Sequence, residues 1–152
     1  MICAGVDYGV ARIAFAVPSR HVFHEITLKP GDNYGNLEVL SEIVWNEVLT
    51  THADVVAVEA PIQGMSRNVR VGISLAMVAG AIVVAARQAG AHVDVVPPAS
   101  WKKTVIGIGN ANKESVSNYL EEHHPQLHSQ CGSQDMVDAV CIAMYAEATL
   151  AG

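Results

Sequence analysis

The sequence predicts an α/β domain: a mixed five-stranded sheet with helices packed on both faces. Three observations predict it. Three short runs of strand character follow one another at the N-terminus, and strand-like and helix-like runs alternate after residue 36. At 152 residues, with no Gly/Ser/Pro-rich tract, charge block or internal repeat, the chain has length for one domain with a real core.

The elements follow in order. "ICAGVDYG" (2–9) is an apolar run broken by glycine, and "VARIAFAVP" (10–18) alternates enough to be its partner strand. "HVFHEITLK" (21–29) is dense in β-branched and aromatic residues and completes an antiparallel meander. "NLEVLSEIVWNEVLTTH" (36–52) puts Leu37, Leu40, Val44 and Val48 on one helical face. "ADVVAVEAP" (53–61) does not alternate, which marks a strand buried on both sides. "NVRVGISLAMVAGAIVVAARQAG" (68–90) is a long helix, apolar nearly all round, that ends at Gly90. "HVDVVP" (92–97) is a strand stopped by proline. Ser100, and then Asn110 or Asn112, can cap short helices, and Ser133 can cap a final helix over 134–149. The resulting order, βββαβαβα(α)α, is that of the ribonuclease-H-like fold.

Composition narrows the classes. "MICAGVDYG" lacks the regions of a signal peptide. The uncharged apolar run between Arg70 and Arg87 is shorter than the ~18 residues of a membrane helix. A cytoplasmic protein with no membrane partner is expected. Cys3, Cys131 and Cys141 form no CxxC pair, and Cys3 and Cys141 lie in apolar surroundings as buried thiols would. "HHPQLHSQC" offers His123, His124, His128 and Cys131 as zinc ligands, but one such cluster without a second element fits a polar loop better. The net charge of −6 speaks against a nucleic-acid partner until the acids are examined. Six of the nine basic residues lie between Arg67 and Lys113, with Lys102, Lys103 and Lys113 close together.

Asp7 lies near the end of the first strand between two glycines, where a metal or a substrate backbone could approach closely. Its bland alternative is a turn before Gly9. Glu59 follows five apolar strand residues and has no evident structural task beyond an ion pair with Arg12 or Arg67. Strand ends in such sheets are where ligand sites form. Asp135 and Asp138, in "QDMVDAVCIAMY", share one face of the last helix. Asp135 suits a helix first turn, whereas Asp138 should face the core. Ionised carboxylates in such a place are costly unless paired or metal-bound. Taken together, the four acids fit hard-oxygen coordination of Mg²⁺, with Mn²⁺ able to substitute. Two such ions ~4 Å apart promote phosphodiester cleavage.

Four blocks carry a resemblance that spans most of the chain: "GVDYGVARIAFAV", "VAVEAPIQGMSRNVRVGISLAMVAGAIVVAA", "PASWKKTVIGIGNANKESV" and "QDMVDAVCIAMY". In these the sequence resembles RuvC-type Holliday junction resolvases, and its length also suits virus-encoded members. The resemblance implies a homodimer that binds a four-way DNA junction and makes two symmetric nicks, with Mg²⁺-dependent hydrolysis leaving 5′-phosphate and 3′-hydroxyl ends. It makes Asp7, Glu59, Asp135 and Asp138 the metal ligands, with two ions per site. It places Lys102 and Lys113 at positions that approach DNA, with Lys103 as a helper and Arg67 and Arg70 in the same basic stretch. The family's dimer would cover the apolar helix near 68–90. Bacterial members carry an aromatic three residues after the strand-end Glu; this chain has Ile62 there. An aliphatic side chain can wedge against an unstacked pair but stacks less well, so a broad taste for branched DNA is expected.

Three rival functions remain. A ribonuclease-H-like nuclease acting on RNA–DNA hybrid or structured RNA would use the same acids. An actin-like phosphotransferase would need two such domains. A non-catalytic junction-binding protein would not need all four carboxylates intact.

Overall fold

The computed structural model describes residues 1–61 and 68–150; Ile62 and Arg67 therefore lie outside the described residues. The meander is formed by β1 (Cys3–Gly9), β2 (Arg12–Val17) and β3 (Val22–Thr27). After α1 (Asn33–Thr51) comes β4 (Val55–Glu59), then α2 (Val69–Gln88) and β5 (His92–Val96). Four helices close the chain: α3 (Pro98–Ile106), α4 (Lys113–His123), the short α5 (Pro125–Ser129) and α6 (Gln134–Leu150). The sheet order is β3-β2-β1-β4-β5, with β4 parallel to both β1 and β5 and the other pairs antiparallel.

The period of two along β1 divides the core. Ala4, Val6 and Tyr8 join the layer under α1 and α2, where Leu40, Val44, Val48, Val78 and Ile82 are buried. Cys3, on the other face with Ala14, Val55 and Ala57, packs against α3, α4 and α6 through Trp101, Leu120, Val140 and Ile142. Helices thus cover both faces, and the central strands carry apolar residues on both sides.

Helix starts differ from expectation where side chains other than the predicted ones cap them. α1 begins three residues earlier because Asp32 accepts the Gly35 N–H at 3.0 Å. Ser100 is not a cap: it sits inside the first turn of α3, which starts at Pro98, a residue already set for that position. Asn112 caps α4, accepting the Ser115 N–H at 2.8 Å. The "HHPQLHSQC" stretch contains α5 rather than only loop, again opened by a proline. There His128 meets the Ser117 hydroxyl at 3.0 Å and the Cys131 thiol donates to the Leu127 carbonyl.

α2 is not apolar-buried all round. Gly72, Val78, Ala79, Ile82, Ala85 and Ala86 are covered, whereas Val71, Ile73, Met77 and Val84 are exposed. Because the helix runs past both arginines, it is long and apolar enough by composition to cross a bilayer (mean hydropathy 2.1), which the uncharged run alone did not suggest. It packs on α1, β1, β4 and β5 as a core helix does.

Candidate active site

The parallel β1–β4 pair sets the first two acids side by side. Val6 and Val58 are register partners, and Asp7 and Glu59 are the next residues of their strands. The third and fourth acids arrive with α6, which lies directly on β1. A Cβ on Gly5 would run into the Ala139 carbonyl oxygen and the Ala143 nitrogen, so only glycine permits this approach. The start of α6 is fixed by Ser133, whose hydroxyl accepts the Met136 N–H at 3.1 Å and donates to the Glu25 carboxylate on edge strand β3. The first two turns of α6 thereby bring Asp135 and Asp138 over the β1–β4 end.

Each carboxylate has a protein partner. Arg12 Nη1 lies 3.0 Å from Asp135 Oδ2 and 3.3 Å from Asp7 Oδ2, joining β1 to α6. Glu59 accepts the indole N–H of fully buried Trp101 at 3.1 Å. Asp138 accepts from the Gln134 amide at 3.2 Å, one turn earlier on the same helix. Tyr8, below the site, donates its hydroxyl to the Glu59 carbonyl at 2.8 Å and fixes the end of β4.

Burial resists the ionisation of Asp7, Glu59 and Asp138. Burial pushes the Asp7 carboxyl up to about 8; Arg12 opposes that rise, while Asp138, Glu59 and Asp135 reinforce it. Asp138 is pushed up to about 6, again mainly by burial, with its Gln134 bond, Lys102 and Lys113 opposing. Glu59 is raised by burial and partly restored by Trp101, Lys102 and Lys113. The four acids therefore share one electrostatic neighbourhood, with Lys102 and Lys113 facing it. Among the described residues, no three of His, Cys, Asp or Glu converge tightly enough to hold an ion as they stand. Like charges with only Arg12 between them have no reason to close up. The donor set fits a hard divalent cation: four carboxylates, three of which (Asp7, Glu59 and Asp138) are held toward the protonated form by burial.

The structure thus groups Asp7, Glu59, Asp135 and Asp138, with Lys102 and Lys113 at the edge. Lys103 is exposed, and it is not among the charges that move Asp7, Glu59 or Asp138. Arg70 lines a cavity of about 480 Å³ with Val10, Tyr34, Leu37, Ile73 and Met77, none of them one of the acids. Two expectations need correction. Arg12 pairs with Asp7 and Asp135, not with Glu59. The glycines flanking Asp7 make room for protein: Gly5 admits the backbone of α6, which closes that side, and Gly9 admits the Arg12 side chain. Asp7 itself is a paired strand residue opposite Ala14, so the turn alternative does not hold. The sequence reading left out Trp101, Gln134, Tyr8 and Glu25. Gln134, four residues before Asp138, was the one with a signal in the spacing.

A mixed sheet in this order, with acids at the ends of its adjacent first and fourth strands and on a closing helix, defines a ribonuclease-H-like domain. The chain matches the family model "Crossover junction endodeoxyribonuclease RuvC" over residues 4–146. The protein of that name from Azorhizobium caulinodans is 32% identical over 121 residues, 78% of this chain and 69% of the relative. The one from Cereibacter sphaeroides is 32% identical over 72 residues, 47% of this chain and 42% of the relative. In fold, the chain is similar to Thermus thermophilus RuvC, with TM-score 0.79 at 22% identity over 99% of this chain and 97% of that one. The same protein in complex with Holliday junction substrate gives TM-score 0.80 at 23% identity, covering 95% and 92%. The chain belongs to the RuvC family of crossover junction endodeoxyribonucleases.

Proposed function

We propose that this chain is a Mg²⁺-dependent, structure-selective endonuclease that resolves four-way DNA junctions and cuts other branched DNA. The observation that carries the reading is the gathering of four carboxylates at the ends of β1 and β4 and on the start of α6, with Lys102 and Lys113 near enough to lower the Glu59 and Asp138 values, in a member of this family. The solved relative bound to Holliday junction substrate supports the choice of DNA.

Asp7, Glu59, Asp135 and Asp138 would hold the metal. When bound, a pair of Mg²⁺ ions supplies Lewis acidity at the attacking water and at the leaving oxygen. The chain supplies the rest. The Trp101 N–H holds one Glu59 oxygen and leaves the other free to coordinate, and Gln134 does the same for Asp138. Lys102 and Lys113 place positive charge beside the acids, where a DNA phosphate must come to be cut. Lys103, Arg67, Arg70 and Ile62 are assigned to DNA contact by resemblance alone.

Two symmetric cuts need two sites, and the exposed apolar residues of α2 suit a second copy of the chain. Sedimentation at graded protein concentration tests that dimer. Function is tested by Mg²⁺-dependent nicking across four-way, flap, Y-shaped, duplex and RNA–DNA hybrid substrates. Preferential, paired nicking of the junction is expected, and Asp7→Asn should abolish it while sparing junction binding. Preference for the hybrid, or normal cutting by Asp7→Asn, overturns the reading.

A further inference from the structure

We infer that Arg12 is a built-in counter-ion of the carboxylate cluster, holding Asp7 and Asp135 in the metal-free protein and giving them up to a divalent cation. The inference rests on the metal-binding reading above and adds a competitor to it.

The geometry has two independent parts. First, a single nitrogen, Nη1, serves two carboxylates from different elements, at 3.3 Å on β1 and 3.0 Å on α6. Asp7 and Asp135, two of the residues that would hold a metal ion, thus already share one positive charge. Second, the fold makes room for this side chain. Arg12 opposes Gly9 across the β1–β2 hairpin, and a Cβ on Gly9 would meet the Arg12 Cγ at 2.9 Å and Nε at 3.0 Å. The stem lies in the groove that Gly9 leaves, and the groove aims the guanidinium at the acids.

Chemistry decides what happens when a metal arrives. Arginine stays protonated in proteins, so it cannot yield by losing its charge; it can only move. Its side chain is 36% exposed, against 8% for Asp7 and 28% for Asp135, so a path to water is open. One delocalised charge at 3.0–3.3 Å competes poorly with a divalent ion that takes oxygen ligands at ~2.1 Å. The guanidinium thus keeps the acids compensated without closing them into a coordination sphere, and the metal must displace it.

Calorimetric titration of Mn²⁺ and Mg²⁺ into wild type, Arg12→Gln, Arg12→Lys and Asp7→Asn tests the inference, with thermal unfolding followed in chelator. Arg12→Gln should bind metal tighter, with Kd lower by about fivefold or more, while its metal-free Tm falls. Arg12→Lys, which keeps a charge, should lie between it and wild type. In wild type, the Arg12 side-chain N–H signal should change from ordered to mobile on adding Mg²⁺, a reading that needs no variant to fold. Unchanged or weaker metal binding by Arg12→Gln, together with an Arg12 signal that ignores Mg²⁺, overturns the counter-ion role. If Asp7→Asn alone loses binding in that case, the metal site itself stands. If wild type binds neither ion, both readings fall.

Discussion

Replacing Asp7 by Asn should stabilise the metal-free protein at neutral and alkaline pH, although it removes a group proposed to be essential. The folded Asp7 carboxyl titrates at about 8 against an ordinary 3.8, because burial and the three neighbouring acids outweigh Arg12. A folded-state value above the unfolded one means the folded chain binds the extra proton. The stability tied to that proton is complete below 3.8 and is lost as pH rises through about 8. At about 1.4 kcal/mol per pH unit, the ceiling is roughly 6 kcal/mol. The asparagine amide must itself be desolvated beside Arg12, which leaves a net gain on the order of 2 kcal/mol near pH 8. For a chain of this size that corresponds to a Tm rise of about 4–8 °C. The assay is the Tm difference between variant and wild type in chelator from pH 4 to 8.5, so that acid effects common to both proteins cancel. The difference should grow with pH, and Mg²⁺ should then raise the wild-type Tm while leaving the variant's in place. A flat difference across that range, or a variant less stable at pH 8, would refute the premise that Asp7 is held at an electrostatic cost.

Three further outcomes follow from named contacts. Lys102→Ala and Lys113→Ala should each weaken junction binding and lower the salt slope by about one, whereas Lys103→Ala should change both less; filter binding at graded salt reads this. Trp101→Phe keeps the bulk but removes the hydrogen bond to Glu59, so metal affinity by calorimetry should fall about 10-fold or more with modest loss of stability. Gly5→Ala must move α6 away from β1. Nicking should fall well beyond what its Tm predicts, because Asp135 and Asp138 move with the helix.

Much of this was legible in the sequence because it was local. The strand period of β1, the apolar run of β4 and the i, i+3 spacing of Asp135 and Asp138 are each contained in a few consecutive residues. What escaped was set by contacts between distant segments. Nothing near Trp101 says that its indole will find Glu59, 42 residues away, and nothing near Glu25 says that it will hold the Ser133 cap, 108 residues on. Gly5 and Gly9 were correctly marked as places of close approach. What approached could not be read, because the occupants are α6 and a side chain across the hairpin. The cap at α3 was misplaced for a different reason: serine and proline both mark helix starts, and the proline came first.

Net charge is a poor guide to partners when acids are gathered in one place. Spread evenly, an excess of six negative charges would repel DNA from every direction. Here four acids lie close together, where burial keeps part of that charge protonated and Arg12 offsets another part. The field that a DNA phosphate would meet beside the acids would come from Lys102 and Lys113, which act on Glu59 and Asp138. Divalent ions in the pocket would then turn the most acidic point of the surface into the point a phosphate approaches most readily. The acids that make the chain look unsuited to DNA would be the ones that draw the scissile phosphate in.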